Sequence, residues 1–259
     1  MTLHYESHGS GPTLVFLHGL FGSGDNLRSI GRTFEADHTV VYPDLPNHGD
    51  SPHTESTDFG KMSAAVAGFL DDEGIGPAVV AGHSMGGKVA MRLALDRPDL
   101  VQGLIILDMA PRPYDRSHTQ IIDAMLGLPT EQVESRADAD RLLADSIPSR
   151  PVRSFLLKNL VKDDGQYLWR LNLPLLKRDY DAILGWEGRG AYDGPALFVG
   201  GSESKYLKRE RDADLVRGLF PRARIEILEG AGHWIHSERP DEVSALISEF
   251  LREESGDAS

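Results

Sequence analysis

The stretch Val79 to Gly87, Val-Val-Ala-Gly-His-Ser-Met-Gly-Gly, constrains this chain more than any other. A short apolar run from Ala78 to Ala81 meets Gly82-His83-Ser84-Met85-Gly86, and Lys88 to Leu95 continues with helical spacing of its apolar residues. Strand, sharp turn and helix in that order leave a serine hydroxyl at the tip of the turn. Glycines suit both flanks, because a Cβ there would collide with the neighbouring strand or helix. A helix start directly behind Ser84 offers free N–H groups and a positive dipole end to a developing oxyanion. An ordinary strand-to-helix loop is the competing reading, since glycine and serine are common in loops.

The bulk of the chain sets the frame for that turn. Its 259 residues suffice for one large α/β domain, or for one domain with an insertion. The absence of cysteine excludes disulfides, thiolate catalysis and cysteine-ligated zinc. Met1 to Glu6 has no basic or long apolar segment, so no signal peptide is expected, and no run has the length of a membrane span. A cytoplasmic protein is the default expectation. The net charge of −13 disfavours nucleic-acid binding through phosphate attraction. That charge is uneven. Arg112 to Gly190 holds 12 basic and 12 acidic residues, so the remainder carries all of the excess.

Strands are expected at Leu3 to Ser7, Thr13 to Leu17, His38 to Tyr42, Ala78 to Ala81, Gly103 to Leu107, Ala196 to Val199 and Arg224 to Leu228. Helices are expected from Asn26 to Phe34, from a Thr57-Asp58 cap to Phe69, behind the Ser84 turn, around Asp212 to Phe220, and from Pro240 to about Glu253. Gly256 to Ser259 reads as a frayed tail. The alternation breaks between Arg112 and Gly190, where apolar spacing predicts helices over Ile121 to Leu126 and Val152 to Val161. The layout is a mostly parallel, doubly wound α/β core over residues 1–111 and 191–259. A helical cap, residues 112–190, is inserted after the strand that ends at Asp108.

A nucleophilic Ser84 needs a general base and a group to orient it. His233 stands in a glycine-flanked loop after the last strand, within reach of the turn. His18, His48 and His53 precede the turn, His118 lies in the insertion, and His236 falls on the helix side of the loop. For the acid, Asp108 ends an apolar strand where a buried carboxylate requires a partner. Glu203 and Asp193 remain alternatives. Two oxyanion donors are expected: Met85 N–H, and Leu20 or Phe21 N–H in the loop after Thr13 to Leu17. From Ile147 to Arg178 there are seven basic residues and two acids. Within that stretch Lys158 and Lys162 would share a helical face and could guide an anionic substrate, although a solvated surface is the alternative.

These residues resemble the α/β-hydrolase superfamily along the whole chain: His18-Gly19, Asp44 with His48-Gly49-Asp50-Ser51, the Ser84 turn, and Gly232-His233. More narrowly, Gly82 to Lys88, Asp108 to Pro111, Phe155 to Leu160, Trp169 to Leu173 and Gly232 to His236 resemble one branch. That branch contains small bacterial esterases and thioesterases with mitochondrial relatives. The resemblance implies hydrolysis of a small acyl ester or thioester, acyl-CoA included, and in some members an acid taken from the earlier strand, as Asp108 would be. It also exposes a departure. The superfamily's usual acid follows the later strand as Gly-x-x-Asp, whereas this chain reads Gly201-Ser202-Glu203-Ser204. A carbon–carbon bond hydrolase, a perhydrolase or a silent ligand-binding member of the same fold are the competing functions. No metal or cofactor is expected, because nucleotide fingerprints are missing and His233-x-x-His236 lacks further ligands.

Overall fold

The structure is a computed structural model that describes residues 2–254; the expected frayed tail, Gly256 to Ser259, lies outside them. Its strands are β1 (Tyr5–Gly9), β2 (Thr13–Leu17), β3 (Thr39–Pro43), β4 (Ala78–His83), β5 (Val101–Leu107), β6 (Leu160–Asp163), β7 (Gln166–Trp169), β8 (Ala196–Gly201) and β9 (Ala223–Leu228). Seven of them form one sheet in the order β1-β3-β2-β4-β5-β8-β9. β1 runs antiparallel to β3, and every other pair in the sheet is parallel. The apolar runs explain this arrangement. In β2, β4 and β5 alternate residues are buried on opposite faces, so both faces must be covered.

Val15, Val80, Leu104 and Ile106 pack with Met62, Val66, Phe69, Val89 and Leu93 on one face. Leu14, Phe16, Ala81 and Ile105 pack with Ile30, Phe34, Val243, Ile247 and Phe250 on the other. Apart from Ala81, each such side chain contributes about 1.5–3 kcal/mol on full burial, which is what keeps the helices on the sheet.

Among those helices, α1 (Arg28–Gly31) is a single turn flanked by 3-10 turns at Gly24–Leu27 and Arg32–Phe34, not the continuous helix expected from Asn26. Its start moves forward because the Asn26 side chain accepts the Ser23 N–H at 2.7 Å. α2 (Phe59–Asp72) begins where expected: the Asp58 carboxylate accepts the Lys61 N–H at 2.8 Å. α3 (Met85–Asp96) follows Ser84 directly.

Between β5 and β8 the chain leaves the sheet through α4 (Thr119–Leu126), α5 (Arg136–Leu143), α6 (Arg150–Leu156), the β6–β7 hairpin, α7 (Leu173–Arg178) and α8 (Tyr180–Leu184). The helix expected over Val152 to Val161 stops at Leu156, and Leu160 and Val161 enter the hairpin. The physical reason is the turn at Asp164-Gly165, both at positive φ, which is the chemistry of a two-residue hairpin. Lys158 and Lys162 therefore do not share a helical face: Lys158 is in a 3-10 turn and Lys162 in β6.

This segment is tied to the core by buried polar contacts. Lys88 of α3 is 1% exposed and donates to the carbonyls of Leu184 and Gly185 at 2.9 and 2.6 Å. Its ammonium also lies 5.1 and 4.7 Å from the Phe59 and Tyr114 ring centres. Burial, helped by nearby Arg112, pushes its pKa down to about 7. Asn159 donates to the Phe21 carbonyl at 2.7 Å. The chain then closes with α9 (Arg209–Leu219), α10 (Ile235–Glu238) and α11 (Pro240–Glu254). Among the described residues no helix is long and apolar enough to cross a membrane.

The tightest packing lies under the Ser84 turn. A Cβ on Gly86 would stand 2.2 Å from the Leu17 carbonyl oxygen, and one on Gly82 2.3 Å from the Gly86 oxygen. Gly86→Ala should therefore cost about 3 kcal/mol or more. Gly68→Ala, in α2 with open space around it, should instead stabilise by about 0.5–1 kcal/mol. Thermal unfolding of both variants checks the contrast; equal Tm values would refute it.

Candidate active site

Ser84 has φ 54 and ψ −118, a conformation costly for a residue with a Cβ. It is held there from both sides. Its N–H donates to the Leu107 carbonyl at 3.2 Å, and its own carbonyl accepts the Lys88 N–H at 3.2 Å as α3 begins. The hydroxyl is lifted clear of the sheet, toward the loops that follow β2 and β9.

Asp108 directly follows β5 and is also at positive φ, 52°. Its N–H donates to the Val199 carbonyl at 2.7 Å, which fixes the turn against β8. The carboxylate is completely buried. Oδ1 accepts the Gly201 N–H at 3.2 Å, and Oδ2 accepts both the Ser204 hydroxyl and His233 Nδ1, the latter at 2.7 Å. On the far side of the ring, His233 Nε2 is 3.0 Å from Ser84 Oγ. Ser84, His233 and Asp108 thus form one hydrogen-bonded line, with Nδ1 donating to the carboxylate and Nε2 free to accept the serine proton.

The His233 loop is pinned on three sides. Glu238 of α10 accepts the N–H groups of Gly232 and Trp234 at 2.6 and 3.2 Å. His83, the last residue of β4, donates from Nε2 to the His233 carbonyl at 2.9 Å. The Tyr206 ring stacks on the imidazole at 4.0 Å between centroids and 30° between planes.

Burial pushes the Asp108 carboxyl up to about 7 and the imidazole of His233 down. The two share a hydrogen bond, so a proton taken up on either is taken up by the pair. Burial likewise holds His83 at about 3 and keeps His236 well below the usual range, so neither competes for that proton near neutrality.

The first N–H groups of α3, Met85 foremost, lie beside the serine and have no intrahelical partner. Opposite them runs the loop after β2, where an added Cβ on Gly19 would stand 3.3 Å from the Ser84 Cβ. Leu20 and Phe21 of that loop line the same cavity as Ser84. Phe21 is at φ 62, and its carbonyl is turned toward Asn159. His18 holds the loop from below: it is fully buried, its Nε2 accepts the Leu45 N–H at 2.9 Å, and its Nδ1 donates to the Gly19 carbonyl at 2.9 Å.

A cavity of about 490 Å³ opens over Ser84 and His233. Leu20, Phe21, Ile121, Val152, Phe155 and Trp234 give it an apolar wall, and Asp25, Lys158 and Glu238 contribute charge. A second, more polar cavity of about 360 Å³ shares Asp25 and Lys158 with it and is lined by both acidic Glu6, Asp44 and Asp50 and basic Arg28, Arg136 and Arg170.

The residues named from the sequence therefore separate clearly. Ser84, His233 and Asp108 come together, and Leu20, Phe21 and the Met85 N–H lie around them. Glu203 is exposed, and its backbone N–H donates to the Ala231 carbonyl; among the described residues its carboxylate meets no partner. Asp193 is exposed next to Arg222. Lys158 borders both cavities, whereas Lys162 lies on β6, 5.6 Å from the Tyr167 ring centre, and lines neither. The expected local basic excess is largely neutralised: Arg153, Arg170, Lys177 and Arg178 pair with Asp140, Asp50, Asp123 and Asp179. Sequence reasoning missed Ser204, Tyr206, His83 and Glu238. Only Ser204 left a signal, as the residue found where the usual acid was expected.

Comparison with known proteins agrees with this architecture. The sequence profile described as the alpha/beta hydrolase fold matches residues 12–240. The sn-1-specific diacylglycerol lipase ABHD11 of Mus musculus is 39% identical over 249 residues, covering 93% of this chain and 81% of the relative. Esterase YbfF of Escherichia coli (strain K12) is 37% identical over 249 residues, covering 96% of each. Among solved structures, a marine microorganism esterase superposes with a TM-score of 0.92 at 33% identity, covering 96% of this chain and 99% of that one. With a family match over most of its length and such relatives across nearly all of it, the chain belongs to the α/β-hydrolase fold family.

Proposed function

We propose that this carboxylic ester hydrolase works through an acyl-enzyme on Ser84, with His233 as general base and Asp108 as the group that orients it. The observation that carries the reading is the Asp108–His233–Ser84 hydrogen-bonded line beneath an apolar cavity. The names of the relatives, esterase and diacylglycerol lipase, support the same reaction class. In the proposed cycle the Ser84 oxygen attacks the ester carbonyl while His233 Nε2 takes its proton. The resulting oxyanion is met by the N–H of Met85 at the head of α3 and by Leu20 or Phe21 N–H opposite. The imidazolium then protonates the departing alcohol or thiol, and water repeats the sequence on the acyl-enzyme.

The acyl chain would lie along Ile121, Val152 and Phe155. The second cavity is of mixed charge, with Arg28 and Arg170 paired to Glu6 and Asp50, so Lys158 and Arg136 are the groups there that would meet a leaving group with a distal anionic part, such as an acyl-CoA thioester. The cap of residues 112–190 thus forms one wall of the substrate site, anchored through Lys88.

Three outcomes are expected. Ser84→Ala should lower kcat by about 10⁴- to 10⁶-fold with the fold intact and abolish labelling by a fluorophosphonate probe; a folded variant that still turns over ester would refute the mechanism. Asp108→Asn should cost about 10²- to 10⁴-fold, and Glu203→Gln almost nothing; the reverse order would move the acid to Glu203.

The pH profile follows from the shared proton. A protonated pair cannot accept the serine proton, so kcat/KM should fall as pH drops through an apparent pKa of roughly 6 to 7.5. A flat profile between about pH 5 and 9 for a substrate limited by chemistry would contradict the base. For the leaving group, kcat/KM on an acyl-CoA should fall with salt, while an uncharged ester of the same chain should not respond. Lys158→Glu should deepen only the acyl-CoA loss, and parallel responses would remove the anionic subsite.

A further inference from the structure

Tyr206 stands in the loop after β8, two residues beyond Ser204, and its ring covers one face of the His233 imidazole at 4.0 Å and 30°. That geometry is held by the backbone on both sides of the ring. The Tyr206 N–H donates to Ser204 Oγ at 3.1 Å, the same hydroxyl that donates to Asp108. Its carbonyl accepts the Tyr114 hydroxyl at 2.6 Å. The Tyr114 ring lies 5.2 Å from the Tyr206 ring and is itself covered by the Arg112 guanidinium at 4.1 Å and the Lys88 ammonium at 4.7 Å. A side chain fixed at its backbone and packed on both its ring neighbours has little freedom to leave the imidazole.

We propose that Tyr206 is a positioning residue for the base: its ring face keeps the imidazole on the line between Asp108 and Ser84 and stabilises the imidazolium formed there. The inference rests on the assignment of His233 as the base. Its physical ground is the ring quadrupole, whose negative face attracts a cation most strongly where water is excluded. Neutral imidazole gains little from that face and imidazolium gains more, so the contact favours the transition state over the ground state. Other groups also bear on the ring's charge: Asp108 bonds its edge and Glu238 of α10 favours a positive charge, whereas His118 and Lys205 oppose one. The neutral His83 ring lies 4.7 Å from the imidazole and in turn packs on His236, but tilted at 37° rather than stacked as Tyr206 is. Lys205 also stands 5.6 Å from the Tyr206 ring centre, on a side chain free to remain in solvent.

The test uses the full chain with Tyr206→Phe and a series of phenylalanines of increasing fluorination at position 206. Ring shape is nearly constant across the series while the quadrupole weakens. Tyr206→Leu serves as the non-aromatic limit. Steady-state kcat, KM and the pH dependence of kcat/KM are measured on a small uncharged ester, with Ser84→Ala as control. Tyr206→Phe should remain within about threefold of the native enzyme, because it retains the ring. Fluorination should lower kcat stepwise, to a total of about 5- to 20-fold, with KM nearly constant. The acid limb should move to lower pH in step, since a weaker ring face disfavours the protonated imidazole. Tyr206→Leu, if it folds, should match the most fluorinated variant. A fluorination series flat in both kcat and the acid limb would overturn the proposal. Turnover by Ser84→Ala would instead place the failure in the assignment of the nucleophile and base.

Discussion

A carboxylate with no access to water cannot be left without partners, and the burial of Asp108 organises everything around Ser84. Its two oxygens draw in the Gly201 N–H, the Ser204 hydroxyl and the His233 imidazole. Those partners come from the end of β8 and the loops after β8 and β9, so one buried charge gathers three chain segments at the carboxyl end of the sheet. That is where ligands bind in open α/β sheets, because adjacent loops diverge there and leave a crevice. Ser204 holds the place where the fold usually carries its acid, and here its hydroxyl donates a hydrogen bond to Asp108 at the end of β5. The two positions meet where β5 and β8 pair, and the Ser204 hydroxyl bonds Asp108 Oδ2 there.

The segment between β5 and β8 completes the site from above, and its attachment relies on polar atoms buried in an otherwise apolar interior. Lys88 reaches from the helix behind Ser84 to the carbonyls at the end of α8, with aromatic rings around its ammonium. Asn159 reaches from the other side to the Phe21 carbonyl in the loop expected to hold the oxyanion. Both contacts end on main-chain carbonyls, which places this segment relative to the backbone of the site and leaves the cavity-lining side chains free to differ. The same contacts couple the position of this segment to the elements that carry Ser84 and the N–H groups beside it.

Much of this was legible in the sequence where spacing along the chain and spatial arrangement are the same thing. Ser84 was visible because strand, turn and helix are contiguous, and Gly82 and Gly86 are needed wherever backbones meet so closely. The core strands were visible because a sheet covered on both faces demands unbroken apolar runs. His233 and Asp108 were found by order and by the oddity of a carboxylate after Ile105-Ile106-Leu107. The β6–β7 hairpin was missed because apolar residues at Val152 to Val161 satisfy a helical period locally, while Asp164-Gly165, a few residues beyond, decides otherwise. The pairing of Lys158 with Lys162 fell with that helix.

What the sequence by itself determined, then, is the sheet with its serine turn, since both follow from local backbone sterics and the periodicity of apolar residues. Only the tertiary structure decided among Asp108, Glu203 and Asp193 as partner of the imidazole, because that depends on which carboxylate is buried against His233. Only it revealed Ser204 beneath Asp108, Tyr206 on the ring, and Glu238 and His83 on the loop. Each of these contacts joins residues from different strands or helices, and their meeting is set by how the sheet twists and how its loops pack. Nothing in the spacing of one segment carries that information.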